Sequence, residues 1–157
     1  MAALVIRVEF IRRVDLWANR DWLFLFGDNE QRSGMGGQAK EMRGEPNALG
    51  IRTKRKPSME IDAFWSDGDY IANCGMILED MAKAFDWVRQ RKRVVLPADG
   101  IGTGRAALPK LAPKTFGFLL NTIRQLDVLA VAIENGPADG TNVLSIEEFR
   151  KRITRDS

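Results

Sequence analysis

The sequence predicts an α/β fold, arranged as a three-layer sandwich. Three observations carry that expectation. Short, nearly continuous apolar runs, Trp22–Phe26 and Val94–Leu96, suit strands buried on both faces. Stretches with apolar residues at helical spacing stand between such runs. Both runs lead at once into a glycine-rich loop, and a helical pattern follows each loop. At 157 residues the chain reads as a single domain.

The elements follow in order. Residues 3–11 are rich in β-branched and aromatic types and read as a first strand. Residues 12–20 show no clear period. Residues 22–26 form the second strand, and the loop from Gly27 to Gly37 follows it. Residues 37–43 suit a short helix that Gly44 would stop, and Pro46-Asn47 is turn chemistry. Residues 48–53 read as a strand with Gly50 inside it. Residues 54–72 form a long connection holding Lys54, Arg55, Lys56, Trp65 and Tyr70. Residues 74–91 read as a helix, because Ile77, Met81, Ala84, Phe85 and Val88 recur on one face.

After the short strand at 94–96, residues 113–126 read as a helix. Pro113 sits near its first turn, and Phe116, Leu119, Leu120 and Ile123 face inward. The apolar run 128–133 reads as another buried strand, closing a right-handed βαβ unit. Asn135-Gly136-Pro137 breaks it. Ser145-Ile146-Glu147-Glu148 is a capping box that opens a last helix through about Ile153.

Composition limits the chemistry. The chain has no histidine, which removes His-based general base catalysis, Ser-His-Asp triads and most zinc sites. Its single cysteine, Cys74, rules out an intramolecular disulfide and fits a reducing cytoplasm. Cys74 is expected to open a helix, where a thiolate is favoured, yet a lone cysteine without histidine is more often inert. A net charge of +3 admits an anionic ligand without requiring nucleic acid. No apolar stretch is expected to span a membrane. The N-terminal run is too short and too soon charged for a signal peptide. No cofactor is expected.

The two glycine loops carry the functional signal. In the first, Gly34, Gly36 and Gly37 allow tight turns with exposed amides, while Asp28 and Asn29 follow a buried strand. That position faces the ligand crevice of an open α/β sheet, where a short acid or amide can bond a ribose or a base edge. The plainer alternative is a turn that Asp28 and Asn29 merely cap. The second loop alternates Gly100, Ile101, Gly102, Thr103 and Gly104 straight after a strand, and Arg105 behind it suits a phosphate. Neither loop is a P-loop or a dinucleotide fingerprint, but amide nests bind anions without one. Paired loops favour a phosphate or pyrophosphate site.

Between them, Arg52, Lys54, Arg55 and Lys56 form a basic cluster. Lys54, at a strand end, could neutralise a phosphate or act as a nucleophile if burial lowers its pKa. A solvated basic edge is the plain alternative. Asp28, Glu30 and Asp99 are candidate general bases, with Asp99 favoured because it lies inside a glycine loop. Trp65 and Tyr70 suit either base stacking or anchoring of the long connection.

These pieces resemble a macro domain, the α/β/α module that binds ADP-ribose. Ser33-Gly34-Met35-Gly36-Gly37-Gln38-Ala39 looks like its first ligand loop. Gly50-Ile51-Arg52-Thr53-Lys54 looks like the strand that ends in a threonine–lysine pair in one hydrolase branch. Leu96-Pro97-Ala98-Asp99-Gly100-Ile101-Gly102-Thr103-Gly104, followed by Leu108, looks like the phosphate loop. The likeness covers roughly residues 21–134. It is nearest to divergent bacterial and phage macro-like proteins, and it implies a mixed, mostly parallel sheet. It further implies ADP-ribose or a related nucleotide as ligand, with Asp28 or Asn29 at the nucleoside end and Thr53 and Lys54 at the distal ribose. In the hydrolase branch the lysine attacks the anomeric carbon, helped by an aspartate. Here that aspartate position is Ala106, and Asp99 is the candidate substitute.

Three functions are therefore expected in competition: an ADP-ribose binder, an ADP-ribosyl hydrolase, and a basic module for nucleic acid or protein. The last rests on residues 54–56 and on the run Arg89-Gln90-Arg91-Lys92-Arg93, whose cations also suit a helix C-terminus.

Overall fold

Alternation along one strand separates the layers. Leu23 and Leu25 fall into one apolar cluster, and their neighbours Phe24 and Phe26 fall into another. Successive strand side chains point to opposite faces, so a strand apolar at every position must be covered on both. The computed structural model, which describes residues 3–136, provides both covers. Its elements are β1 (Val5–Val8), α1 (Arg13–Ala18), β2 (Leu23–Asn29), α2 (Ala39–Met42), β3 (Ala48–Lys54), α3 (Tyr70–Arg89), β4 (Val94–Pro97), α4 (Leu108–Leu111) and α5 (Pro113–Glu134). Leu23, Leu25, Ile51, Val94 and Leu96 pack against Ile77 and Met81 of α3 and Leu119 and Leu126 of α5. Phe24, Phe26 and Val95 pack against Leu16 of α1 and Ala39 and Met42 of α2.

The fold is thus α/β with helices on both faces of a four-stranded sheet. Its strand order is β1-β4-β2-β3, and every pairing of named strands is parallel. Among the described residues the antiparallel component is confined to an isolated bridge between Lys54 and Phe64. β2 runs on through α2 to β3 on one side, while its other neighbour, β4, leads into α4 and α5. The C-terminal ends of β2 and β4 therefore lie at a switch in chain direction, where open α/β sheets form their crevice.

Several boundaries differ from expectation. The first strand is Val5–Val8, and Phe10 beyond it has a left-handed φ of 52°. The unassigned stretch contains α1, whose first turn is closed by Arg12 N–H donating to Asp15 at 2.7 Å. The expected strand at 128–133 does not exist. It is the continuation of α5, and the βαβ unit it was to close is absent with it. Leu119, Leu126 and Ala130 keep helical spacing and are buried, whereas Val128 and Val131 are more than half exposed. A strand buried on both faces could not leave those valines in solvent. By length and composition α5 is long and apolar enough to cross a membrane; here one of its faces is packed into the core. The helix expected from Ser145 lies outside the described residues.

Helix α3 starts at Tyr70, before its expected beginning, so the buried Cys74 lies in its second turn rather than at its end. Trp65 is a core anchor and 2% exposed, with its indole N–H on Glu30 at 3.1 Å. Tyr70 meets Phe118 edge-on under the Lys114 ammonium. Trp65, being buried, is closed to base stacking.

Candidate functional site

The sheet pairing sets up the site. β2 and β3 run in register to Asp28 opposite Arg52, and then Asn29 stands opposite Lys54. Thr53 is the extra residue of this β-bulge. In a regular strand consecutive side chains face opposite ways, but a bulge re-aims them. Thr53 and Lys54 consequently line the same pocket, and both are buried. Thr53 Oγ1 donates to the Asp28 carbonyl at 3.2 Å, which fastens the bulge to β2.

The pocket has a volume of about 320 Å³. That lies at the low end for small-ligand sites, roughly 300–1,000 Å³. Asp28, Asn29, Gly34, Gly36, Gly37, Thr53, Lys54, Asp99, Gly100, Gly102, Thr103, Gly104 and Arg105 all line it, as does Ala106. Ile101 does not. It is 2% exposed and belongs to the core under α3 and α5. In the Gly100-Ile101-Gly102 triplet the backbone faces the pocket at the glycines, and the side chain between them turns inward.

Gly102 has φ +80°, and a Cβ there would come within 3.1 Å of Leu108 and 3.4 Å of Thr53. Only glycine fits that conformation in that space. The loop's amides are the main feature. Gly100 N–H donates to Pro97 O, Ala107 N–H to Gly104 O and Leu108 N–H to Gly102 O. The N–H groups of residues 101–106 have no acceptor among the described residues. In the first loop the N–H groups of residues 33–38 are also without one. Two runs of unpaired donors around one pocket make a concavity of the kind that can accept an anion.

The charges agree with this. Arg105 is exposed at the pocket, and among the described residues no carboxylate pairs with it or with Lys54. Lys54 Nζ donates to the Ser58 carbonyl at 2.7 Å and lies 4.6 Å from the centre of the Phe64 ring. Burial, and then the nearby Arg105 cation, hold its pKa below the ordinary lysine value. An anion between Lys54 and Arg105 would relieve that repulsion. Asp99 lines the pocket from an exposed position, with Gln38 Nε2 at 3.4 Å.

Other predicted contacts are already engaged. The Asp28 carboxylate is buried between Arg43 at 2.5 Å and Arg32 at 3.2 Å. Asn29 accepts from Gln31 N–H at 3.0 Å and donates to Ser33 O at 2.8 Å, so its amide shapes the loop. Thr103 Oγ1 donates to Asp99 O at 2.7 Å. Glu30 is held by Trp65 and does not line the pocket.

Sequence reasoning missed Arg43 and Gln38. Gln38 Oε1 accepts Gly27 N–H at 3.2 Å and its Nε2 reaches Gly100 O at 3.4 Å, linking the loops. Its place next to Gly37 was the only signal. Among the described residues no cluster of His, Cys, Asp or Glu could hold a metal. The basic run at 89–93 lies at the other end of β4: Arg89 pairs with Asp86, Lys92 covers Trp87 and Arg93 covers Trp22.

Residues 6–122 match the model of a family of unknown function, DUF7831, and the chain belongs to that family. The match contains every residue that lines the pocket. No curated protein and no solved structure matches the chain.

Proposed function

For this member of a family of unknown function, we propose that the pocket binds ADP-ribose or a closely related nucleotide in a macro-like manner. The observation that carries the reading is the run of unpaired amides at 101–106 beside Lys54 and Arg105, two cations with no carboxylate partner among the described residues. A second amide run at 33–38 across the same pocket supports a ligand with two linked anionic groups over one with a single phosphate. Thermal-shift measurement with ADP-ribose, NAD, cyclic ADP-ribose and mononucleotides tests it. ADP-ribose should raise the unfolding midpoint most. An unchanged midpoint with all of them overturns the proposal.

A second reading, hydrolysis of an ADP-ribosyl linkage, is favoured by one observation: the lowered pKa of Lys54. Neutral Lys54 would attack the anomeric carbon, the glycosidic bond would break, and the leaving group would take a proton by way of Asp99. Opening of the ribose then gives an imine that water hydrolyses, freeing ADP-ribose and Lys54, and that borohydride would instead reduce to a stable adduct. The native chain should be trapped and Lys54→Ala should not. Turnover undiminished in Lys54→Ala would exclude this route. Ala106 in the pocket wall favours binding as the main reading.

A further inference from the structure

Arg43 follows the last turn of α2 and lines the pocket, and its guanidinium is spent on the first loop. Nε donates to Gly34 O at 2.7 Å and Nη2 to Ser33 O at 3.1 Å. Nη2 and Nη1 meet the two Asp28 carboxylate oxygens at 2.5 and 3.3 Å. The group also lies over Phe26, 5.5 Å from the ring centre. Asn29 adds a second donor to Ser33 O.

Peptide planarity turns this into a statement about the pocket. The peptide bonds of the described residues are all trans, so the C=O and N–H of one peptide point in opposite directions. The Ser33 carbonyl shares its peptide with Gly34 N–H, and the Gly34 carbonyl shares its peptide with Met35 N–H. By drawing both carbonyls to itself, Arg43 turns both N–H groups the other way. Neither has an acceptor among the described residues, and Gly34 and Met35 both line the pocket.

We infer that Arg43 is a positioning residue: it aims the Gly34 and Met35 amides at an anionic ligand, and Asp28 acts by holding Arg43 rather than by touching the ligand. This rests on the anion-binding reading of the pocket. Asp28 is also held by Arg32, whose partner on α3 is Asp80, so the clamp is tied to the sheet and to a core helix. A lysine at 43 would keep the ion pair with Asp28, but a single ammonium lacks the planar fork that spans two carbonyls.

The test is a titration of the native chain, Arg43→Lys and Arg43→Gln with inorganic pyrophosphate, followed by backbone amide resonances. Native Gly34 and Met35 should shift together with residues 101–106. In the variants the 101–106 amides should still move, Gly34 and Met35 should not, and affinity should fall at least about tenfold, roughly that factor for each charge-assisted hydrogen bond lost. Two variants of different charge protect the test against one that does not fold. Gly34 and Met35 shifting in the variants as in the native chain overturns the inference. Native 101–106 moving while Gly34 and Met35 stay still also overturns it, and leaves the pocket reading standing. No movement in either loop overturns both.

Discussion

The guanidinium of Arg105 lies against Gly36, so close that a Cβ at position 36 would stand 2.7 Å from Nη1. The second glycine loop thus reaches across the pocket and rests on the first. Gly36 is there to admit Arg105, because its own backbone does not have a positive φ.

Gly36→Ala should therefore leave the fold intact, since the exposed Arg105 can swing away at little cost. Binding should weaken about tenfold by loss of one charge-assisted contact. Calorimetry paired with thermal unfolding checks both halves. Weaker binding with an unchanged midpoint is the expected pattern.

Gly50→Ala should instead destabilise the fold. A Cβ there would overlap the Asp28 carboxylate, with Cγ at 2.9 Å. Asp28 cannot retreat, because it is buried and paired with Arg43 and Arg32. Overpacking plus a disturbed buried ion pair should cost on the order of 3 kcal/mol, read by urea unfolding.

Neighbouring positions in the second loop should separate by role. Gly102→Ala forces a left-handed backbone on a residue with a Cβ, costing about 1–2 kcal/mol, and crowds Leu108. It should also weaken binding. Ile101→Val should cost about 1 kcal/mol of stability as a core truncation and leave binding unchanged.

Lys54 supplies a pH signature. Burial, and secondarily Arg105, lower its pKa from the ordinary 10.5. The folded chain then releases this proton at a lower pH than the unfolded chain. Between the two values the unfolded state holds more protons, so stability rises with pH there. Below the folded value the cost of a desolvated cation is fully present. Lys54→Met should raise the unfolding midpoint at neutral pH, and the gain should shrink as pH climbs toward 10.5. Ligand binding should be lost in the same variant. A midpoint lowered equally at both pH values would contradict this account.

The sequence showed the two loops because glycines crowd directly behind two runs that are apolar at every position. It showed α3 because Ile77, Met81, Ala84 and Val88 keep one period, and these four are buried. Residues 128–133 misled because a continuous apolar run suggested a buried strand, while the burial of Leu126 and Ala130 follows helical spacing. That Thr53 and Lys54 share one pocket depends on a bulge, which is a property of pairing with β2 and has no local signal. Arg43 and Asp28 lie fifteen residues apart, and their contact is set by how α2 returns over Phe26. Asp28 lines the pocket as the sequence suggests, but the pairing of its carboxylate with Arg43 and Arg32 has no local signal.

The most direct test of the central claim is calorimetric titration of the native chain with ADP-ribose, with Gly102→Val as the control. The account predicts saturable heat for the native chain and none for the variant. No heat from the native chain with ADP-ribose, or with its cyclic and phosphorylated relatives, would contradict it.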